Sequence, residues 1–275
     1  MGRIHKILYI LTLVICALTK TNAQITWEEL YSFETGPIDK ISLDTQGNLY
    51  LSDNLGITSK YDSLGNKLLL FSPPIQSRVS LLDGSRNVNV FLFYKNFQEV
   101  RILNRFLTEI SRISFINSTF GSIMICTPSL DNNIWLIDES DLSLKKYSTQ
   151  FKQILITNSL LFTLPPNKKD YQFTHFIEYN TNVYLSDLNQ GIFVFDNLGN
   201  YKSQIQANGI SHFGFYDNYI YYLEDQELKI IHLPTGQLIQ STLPLSGSKR
   251  ILLNAKKAFL ISDHTIRVLQ HNIFP

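Results

Sequence analysis

Cysteine is nearly missing from this chain of 275 residues: Cys16 and Cys126 are the only two. Cys16 falls in an amino-terminal segment expected to be removed, which leaves one thiol and no internal disulfide, so packing alone must hold the core. Cys126 ends the apolar run Ile123-Met124-Ile125-Cys126 and reads as a small buried hydrophobe rather than a nucleophile. Charge is scarce as well. Asp, Glu, Lys and Arg make up 17% of the residues and the formal net charge is +1, which supplies no electrostatic drive toward nucleic acid or an anionic membrane surface. A chain with few charged residues but plentiful Asn, Ser, Thr and Tyr suits strands and polar turns better than exposed helices, which usually carry many Lys and Glu. Beyond the first segment no apolar run is long enough to cross a bilayer. No nucleophile elbow, phosphate-cradling glycine loop or dinucleotide fingerprint occurs either.

What is present begins with a leader. Arg3, His5 and Lys6 precede an apolar run from Ile7 to Leu18, and Thr21-Asn22-Ala23 places small residues where a signal peptidase cuts. Residues 1–23 are expected to be a secretory signal peptide, and 24–275 a single exported domain, periplasmic, outer-membrane-associated or extracellular. Ile15 stands where lipidation of Cys16 would need a small residue. Asn117-Ser118-Thr119 fits a glycosylation sequon, which carries no meaning in most bacteria, and the Pro- and Lys-bearing stretch Leu161–Phe173 reads as a projecting loop.

The mature chain repeats itself. "YDSLGN" at Tyr61–Asn66 returns as "FDNLGN" at Phe195–Asn200, and "LYLSD" at Leu49–Asp53 returns as "VYLSD" at Val183–Asp187. In three copies an aromatic residue precedes a turn glycine by 15 positions: Tyr50 and Gly65, Tyr184 and Gly199, Tyr221 and Gly236. Phe91, Trp135 and Phe259 centre three further copies, and the intervals between the six centres are 41, 44, 49, 37 and 38 residues. A period near 40 with several short alternating strands per unit is the signature of a β-propeller blade. The sixth unit, Arg250–Asn254, Ala258–Ser262 and Ile266–Gln270, lacks a fourth strand, which Ile25–Phe33 is expected to supply. The fold class read from these spacings is all-β: a six-bladed β-propeller closed by an N-terminal strand completing the last blade. The leucine before each turn glycine, Leu64 and Leu198, is expected to pack back onto its blade.

"ISLDTQGNLYLSD" followed by "ITSKYDSLGNKL" resembles the NHL-type repeat of six-bladed propellers, and Val183–Ile205 keeps the second half of that pattern. The resemblance implies the fold over the mature chain and leaves activity open, since propellers host unrelated functions. The Asn-, Ile- and Lys-rich composition and a leader ending in Ala-Gln resemble exported proteins of Bacteroidota.

Aligning the starts of the innermost strands brings Asp39, Arg78, His175, His212 and Arg250 to the channel mouth as candidate ligand-binding residues. His175, His212 and Arg250 each stand nine residues before a blade centre and should share one level. Imidazoles bind metals and move protons, while a guanidinium grips carboxylate or phosphate. Two histidines without a third ligand, beside an arginine, make a poor metal site, so no metal, no cofactor and no catalytic residue is expected. Calcium-dependent lactonase-type propellers gather oxygens in the channel. Glu178, Asn180, Asp217 and Asn254 would be compared with them, although they form no set at matched depth. The expected function is therefore an exported, non-catalytic binding or scaffold module with a protein partner in the cell envelope or a small anionic ligand. The alternative is a lactonase- or sugar-dehydrogenase-like enzyme with a central-channel site.

Overall fold

The structure, a computed structural model, describes residues 25–86, 88–116, 121–161, 163 and 171–274. The expected leader, the sequon and most of the 161–173 loop lie outside those residues. Among the described residues twenty-four strands form six antiparallel four-stranded sheets, or blades. Blade 1 holds β2 (Lys40–Leu43), β3 (Leu49–Ser52), β4 (Thr58–Tyr61) and β5 (Lys67–Phe71). Blade 2 runs from β6 (Leu81–Asp83) through β7 (Asn89–Tyr94) and β8 (Glu99–Asn104) to β9 (Glu109–Ser114). Blade 3 comprises β10 (Ile123–Pro128), β11 (Ile134–Asp138), β12 (Ser143–Ser148) and β13 (Gln153–Ser159). Blade 4 has β14 (Phe173–Tyr179), β15 (Asn182–Asp187), β16 (Gly191–Asp196) and β17 (Tyr201–Ile205). Blade 5 has β18 (Phe213–Tyr216), β19 (Tyr219–Glu224), β20 (Glu227–His232) and β21 (Gln237–Thr242).

Blade 6 is completed as the sequence requires. Its strands β22 (Arg250–Leu253), β23 (Lys257–Ile261) and β24 (Thr265–His271) are joined by β1 (Trp27–Glu34), which pairs antiparallel with β24. The register runs from Trp27 opposite His271 to Glu34 opposite Thr265, with an irregularity between Glu29 and Tyr31. Apolar clusters then join neighbouring blades all the way round. Ile41, Leu49 and Leu51 of the first blade pack with Leu252, Phe259 and Val268 of the last, so the seam is sealed by side chains as well as by main-chain bonds. Each fully buried Leu or Phe of this kind contributes roughly 1.5–3 kcal/mol. All six repeat centres lie on the second strand of a blade and are buried.

The recurring turn has a local cause. Asp62 Oδ1 accepts the backbone N–H of Leu64 and Asn66 at 2.9 and 2.8 Å, and Asn66 Nδ2 donates to Asp62 Oδ2 at 2.8 Å. Asp196 binds Leu198 and Asn200 in the same way, and Asp44 does so in the Asp44–Asn48 turn of β2–β3. A carboxylate thus satisfies the turn amides while glycine takes the positive φ, 89° at Gly65 and 79° at Gly199. The expectation for the preceding leucine is corrected. Leu64 and Leu198 are 66% and 60% exposed, because the neighbouring blade packs on the glycine instead. Phe33 stands against Gly65, and Asn158 Nδ2 donates to Leu198 O at 2.7 Å beside Gly199.

Candidate functional site

Six inner strands enclose a channel that holds a cavity of about 540 Å³. It opens among the turn residues Thr45, Asn180, Asp217 and Asn254, and reaches inward to His175 and His212. Blades 4 and 5 supply an aromatic wall. Tyr179 and Phe215 stack with centroids 4.2 Å apart and planes 3° from parallel, and Tyr184 meets Phe215 edge-on at 4.7 Å. The Tyr179 hydroxyl donates to Asp217 O at 2.7 Å, which fixes the ring.

Depth along the channel follows from strand pairing. The blade centres lie opposite Ser42, Asp83, Thr127, Ile177, Gly214 and Leu252. One level further in, Lys40 faces Ser52, Leu81 faces Phe93, Ile125 faces Ile137, His175 faces Ser186 and Arg250 faces Ile261. His212 directly precedes Phe213, the partner of Tyr222, and so belongs to the same level. The sequence-derived grouping of His175, His212 and Arg250 at one depth therefore matches the register.

At that level the His175 and His212 rings meet at 4.3 Å, and Phe213 closes on His175 edge-to-face at 4.9 Å. Burial, with Lys40 and Arg250 close enough to add to it, lowers His175 to about 3. Burial, His175, Arg250 and Lys40 push His212 down in the same sense. Both imidazoles are neutral at pH 7. Burial also lowers Lys40 to about 8 and depresses Arg250, yet both stay charged at pH 7. Among the described residues the side chains of Lys40, His175, His212 and Arg250 make no hydrogen bond or ion pair.

Asp39 and Arg78 sit apart from this layer. They form a two-bond ion pair, Arg78 Nε to Asp39 Oδ2 at 2.7 Å and Nη2 to Oδ1 at 2.6 Å, with the arginine side chain 64% exposed. Neither lines the cavity, and each raises or lowers the pair behind the imidazoles only through its charge. Lys40 was absent from the sequence-derived set, since aligning strand starts put Asp39 in its place. Counting back from Tyr50 by strand pairing, which puts Ser42 opposite it, would have reached Lys40.

The oxygen-bearing residues lie nearer the opening, and most are already engaged. Glu178 Oε2 accepts from Ser129 Oγ at 2.6 Å and Leu130 N at 2.5 Å, tying blade 4 to blade 3. Asn254 Oδ1 accepts from Lys256 N and Lys257 N. Arg86 donates to Pro128 O and Ser129 O, tying blade 2 to the same turn. Among the described residues no group of three or more His, Cys, Asp or Glu side chains is placed to hold a metal ion, and no helix is long and apolar enough to cross a membrane.

Six four-stranded sheets in a ring about such a channel define a β-propeller. No family model and no curated protein matches the chain, so its likenesses are to solved structures. Virginiamycin B lyase from Staphylococcus aureus is 11% identical at a TM-score of 0.59, over 90% of this chain and 99% of that one. The Cps50 (Swd1) β-propeller domain of Myceliophteria thermophila is 10% identical at 0.63, over 89% and 99%. BamB from Moraxella catarrhalis is 10% identical at 0.50, over 91% and 99%. Likeness at such identity shows the fold alone. Because it reaches a lyase as well as propellers not named as enzymes, the fold does not choose between catalysis and binding.

Proposed function

We propose that this protein is a non-catalytic binding module, exported and acting in the cell envelope, which receives a small ligand or a segment of a protein partner in its open channel. The observation that carries this reading is the cavity itself. About 540 Å³ of space falls within the usual range of ligand pockets, roughly 300–1,000 Å³, and it combines an aromatic wall with a floor of two imidazoles whose rings make no hydrogen bond or ion pair among the described residues. His175 and His212 would touch the occupant, Lys40 and Arg250 would supply positive field behind them, and the Asp39–Arg78 pair would brace the far rim. Strand exchange at the seam favours a stiff ring over a hinged one, which suits a presenting scaffold.

The test is photocrosslinking in the native envelope. A benzophenone side chain replaces Asn180 or Asp217 at the opening, or Gln240 on the outer strand β21. Adducts from the two rim positions and none from Gln240 are the expected outcome. Adducts from the outer strand alone would reject the channel as the binding centre.

A further inference from the structure

The cavity is polarised along its length. At its floor the fixed charges behind the imidazoles, Lys40 and Arg250, are both positive, and the nearest carboxylate, Asp39, is held by Arg78. Toward the opening the charges are mostly negative. Asp44 and Glu178 line the cavity but are spent on backbone and hydroxyl donors. Asp83 is engaged through one oxygen only. Asp83 lines the same cavity and is only 5% exposed; Ser85 N and Oγ both bind its Oδ1, while its Oδ2 has no partner. A buried carboxylate oxygen without a donor is costly, so it marks a place for a hydrogen-bond donor. Asp217 stands exposed at the rim, with φ 47°.

From these placements we infer that the channel takes a small zwitterion. Its anionic end lies on the His175–His212 floor, its ammonium end reaches Asp83 or Asp217, and its apolar middle lies along the Tyr179–Phe215 wall. This rests on the channel being the binding centre. A simple anion is a poorer fit, because it would enter past Asp83, Glu178 and Asp217, and a simple cation is poorer because it would end against Lys40 and Arg250. The span follows from the strands. Along the channel Asp83 lies one level, or two residues, nearer the opening than the imidazoles, an axial offset of about 7 Å, and Asp217 follows His212 by five residues, about 16 Å at ~3.3 Å each. An extended peptide of two to four residues with free ends has its charges separated by that much, at ~3.3–3.6 Å per residue. At the floor each neutral imidazole can donate one N–H to a carboxylate, in the field of two cations.

Isothermal titration with the intact protein provides the test. The probe is a tetrapeptide carrying one phenylalanine, in four forms: free-ended, carboxyl-amidated, amino-acetylated and blocked at both ends. The free form should bind most tightly, and each block should weaken it about tenfold, the scale of one charge-assisted hydrogen bond. His212→Leu should abolish the difference between acid and amide, and Asp217→Asn should shrink the difference between amine and acetyl. Equal affinity of all four forms, or no binding at millimolar peptide, would overturn the inference. Equal affinities that all fall in Phe215→Ala would remove the zwitterion and keep the channel as the binding centre. Rim crosslinks that fail to appear would remove both.

Discussion

Acid should destabilise this protein through its buried imidazoles before its carboxylates titrate. His175 is 9% exposed and its pKa in the folded protein is about 3, against about 6.5 in an unfolded chain. The unfolded state therefore takes up the proton first. The neutral-His175 contribution is fully present above pH 6.5 and is lost progressively as pH falls toward 3. At pH 5 the unfolded chain gains about 1.5 pH units of protonation free energy at this site, or about 2 kcal/mol at 1.36 kcal/mol per unit. For a domain of this size 1 kcal/mol moves Tm by roughly 2–4 °C, so His175 alone should lower it by about 4–8 °C between pH 8 and pH 5. His212 and His271 are displaced in the same direction by burial and add to the fall. The shifted carboxylates act later: Asp131, at about 2 through Lys146 and Ser129 acting against its own desolvation, loses its contribution only as pH drops below about 4. Differential scanning calorimetry of the parent and His175→Gln at pH 8, 6.5 and 5 separates these parts. The variant should keep the His271 share of the slope and lose at least about 4–8 °C of the total, because His175 also helps to depress His212. A parent Tm that is flat across this window, or a variant slope equal to the parent's, would refute a neutral buried His175.

Two further perturbations probe the ring. Alanine at Gly65 must adopt φ 89° and set its Cβ about 2.5 Å from the Phe33 ring, whereas alanine at Gly236 meets φ 68° and open space. Urea titration should show Gly65→Ala the more destabilising by about 1–3 kcal/mol, the scale of overpacking, and equal losses would reject the packing of β1 on the first blade. Cys126 is fully buried and burial pushes its thiol up, so iodoacetamide should leave it unmodified in the folded protein at pH 8 and alkylate it rapidly in guanidinium. Fast native labelling would contradict that burial.

Much of the fold was legible because its causes are local and periodic. Tyr50, Tyr184 and Tyr221 sit at fixed spacing from turn glycines since each blade needs one buried aromatic on its second strand and one positive-φ hairpin. The seam was legible from a deficit: a sixth unit with three strands leaves an edge that only another segment can fill. Leu64 and Leu198 misled because position in a turn says which way the backbone bends, whereas their exposure depends on the neighbouring blade's choice of glycine as its contact. The channel layer was half legible. Equal spacing found His175, His212 and Arg250, but Lys40 needed the β2–β3 register, which the Asp44–Asn48 turn sets. The aromatic wall and the unpartnered Asp83 oxygen were not legible, since both arise where side chains from separate blades converge.

An engineered disulfide asks most directly whether the ring closes on itself. Ser32 of β1 and Arg267 of β24 lie directly opposite one another in the register, where Cβ atoms stand about 4.5–5.5 Å apart, a small shift from the roughly 3.5–4.5 Å of a disulfide. In a Ser32→Cys, Arg267→Cys protein, mild oxidation should give an intramolecular bond in nearly every molecule, seen as a faster band on a non-reducing gel and a raised Tm. A control pairing Ser32→Cys with Gln240→Cys should give none. Failure of the first pair to bridge in folded monomer, or equal bridging by the control, would mean that β1 does not complete the sixth blade.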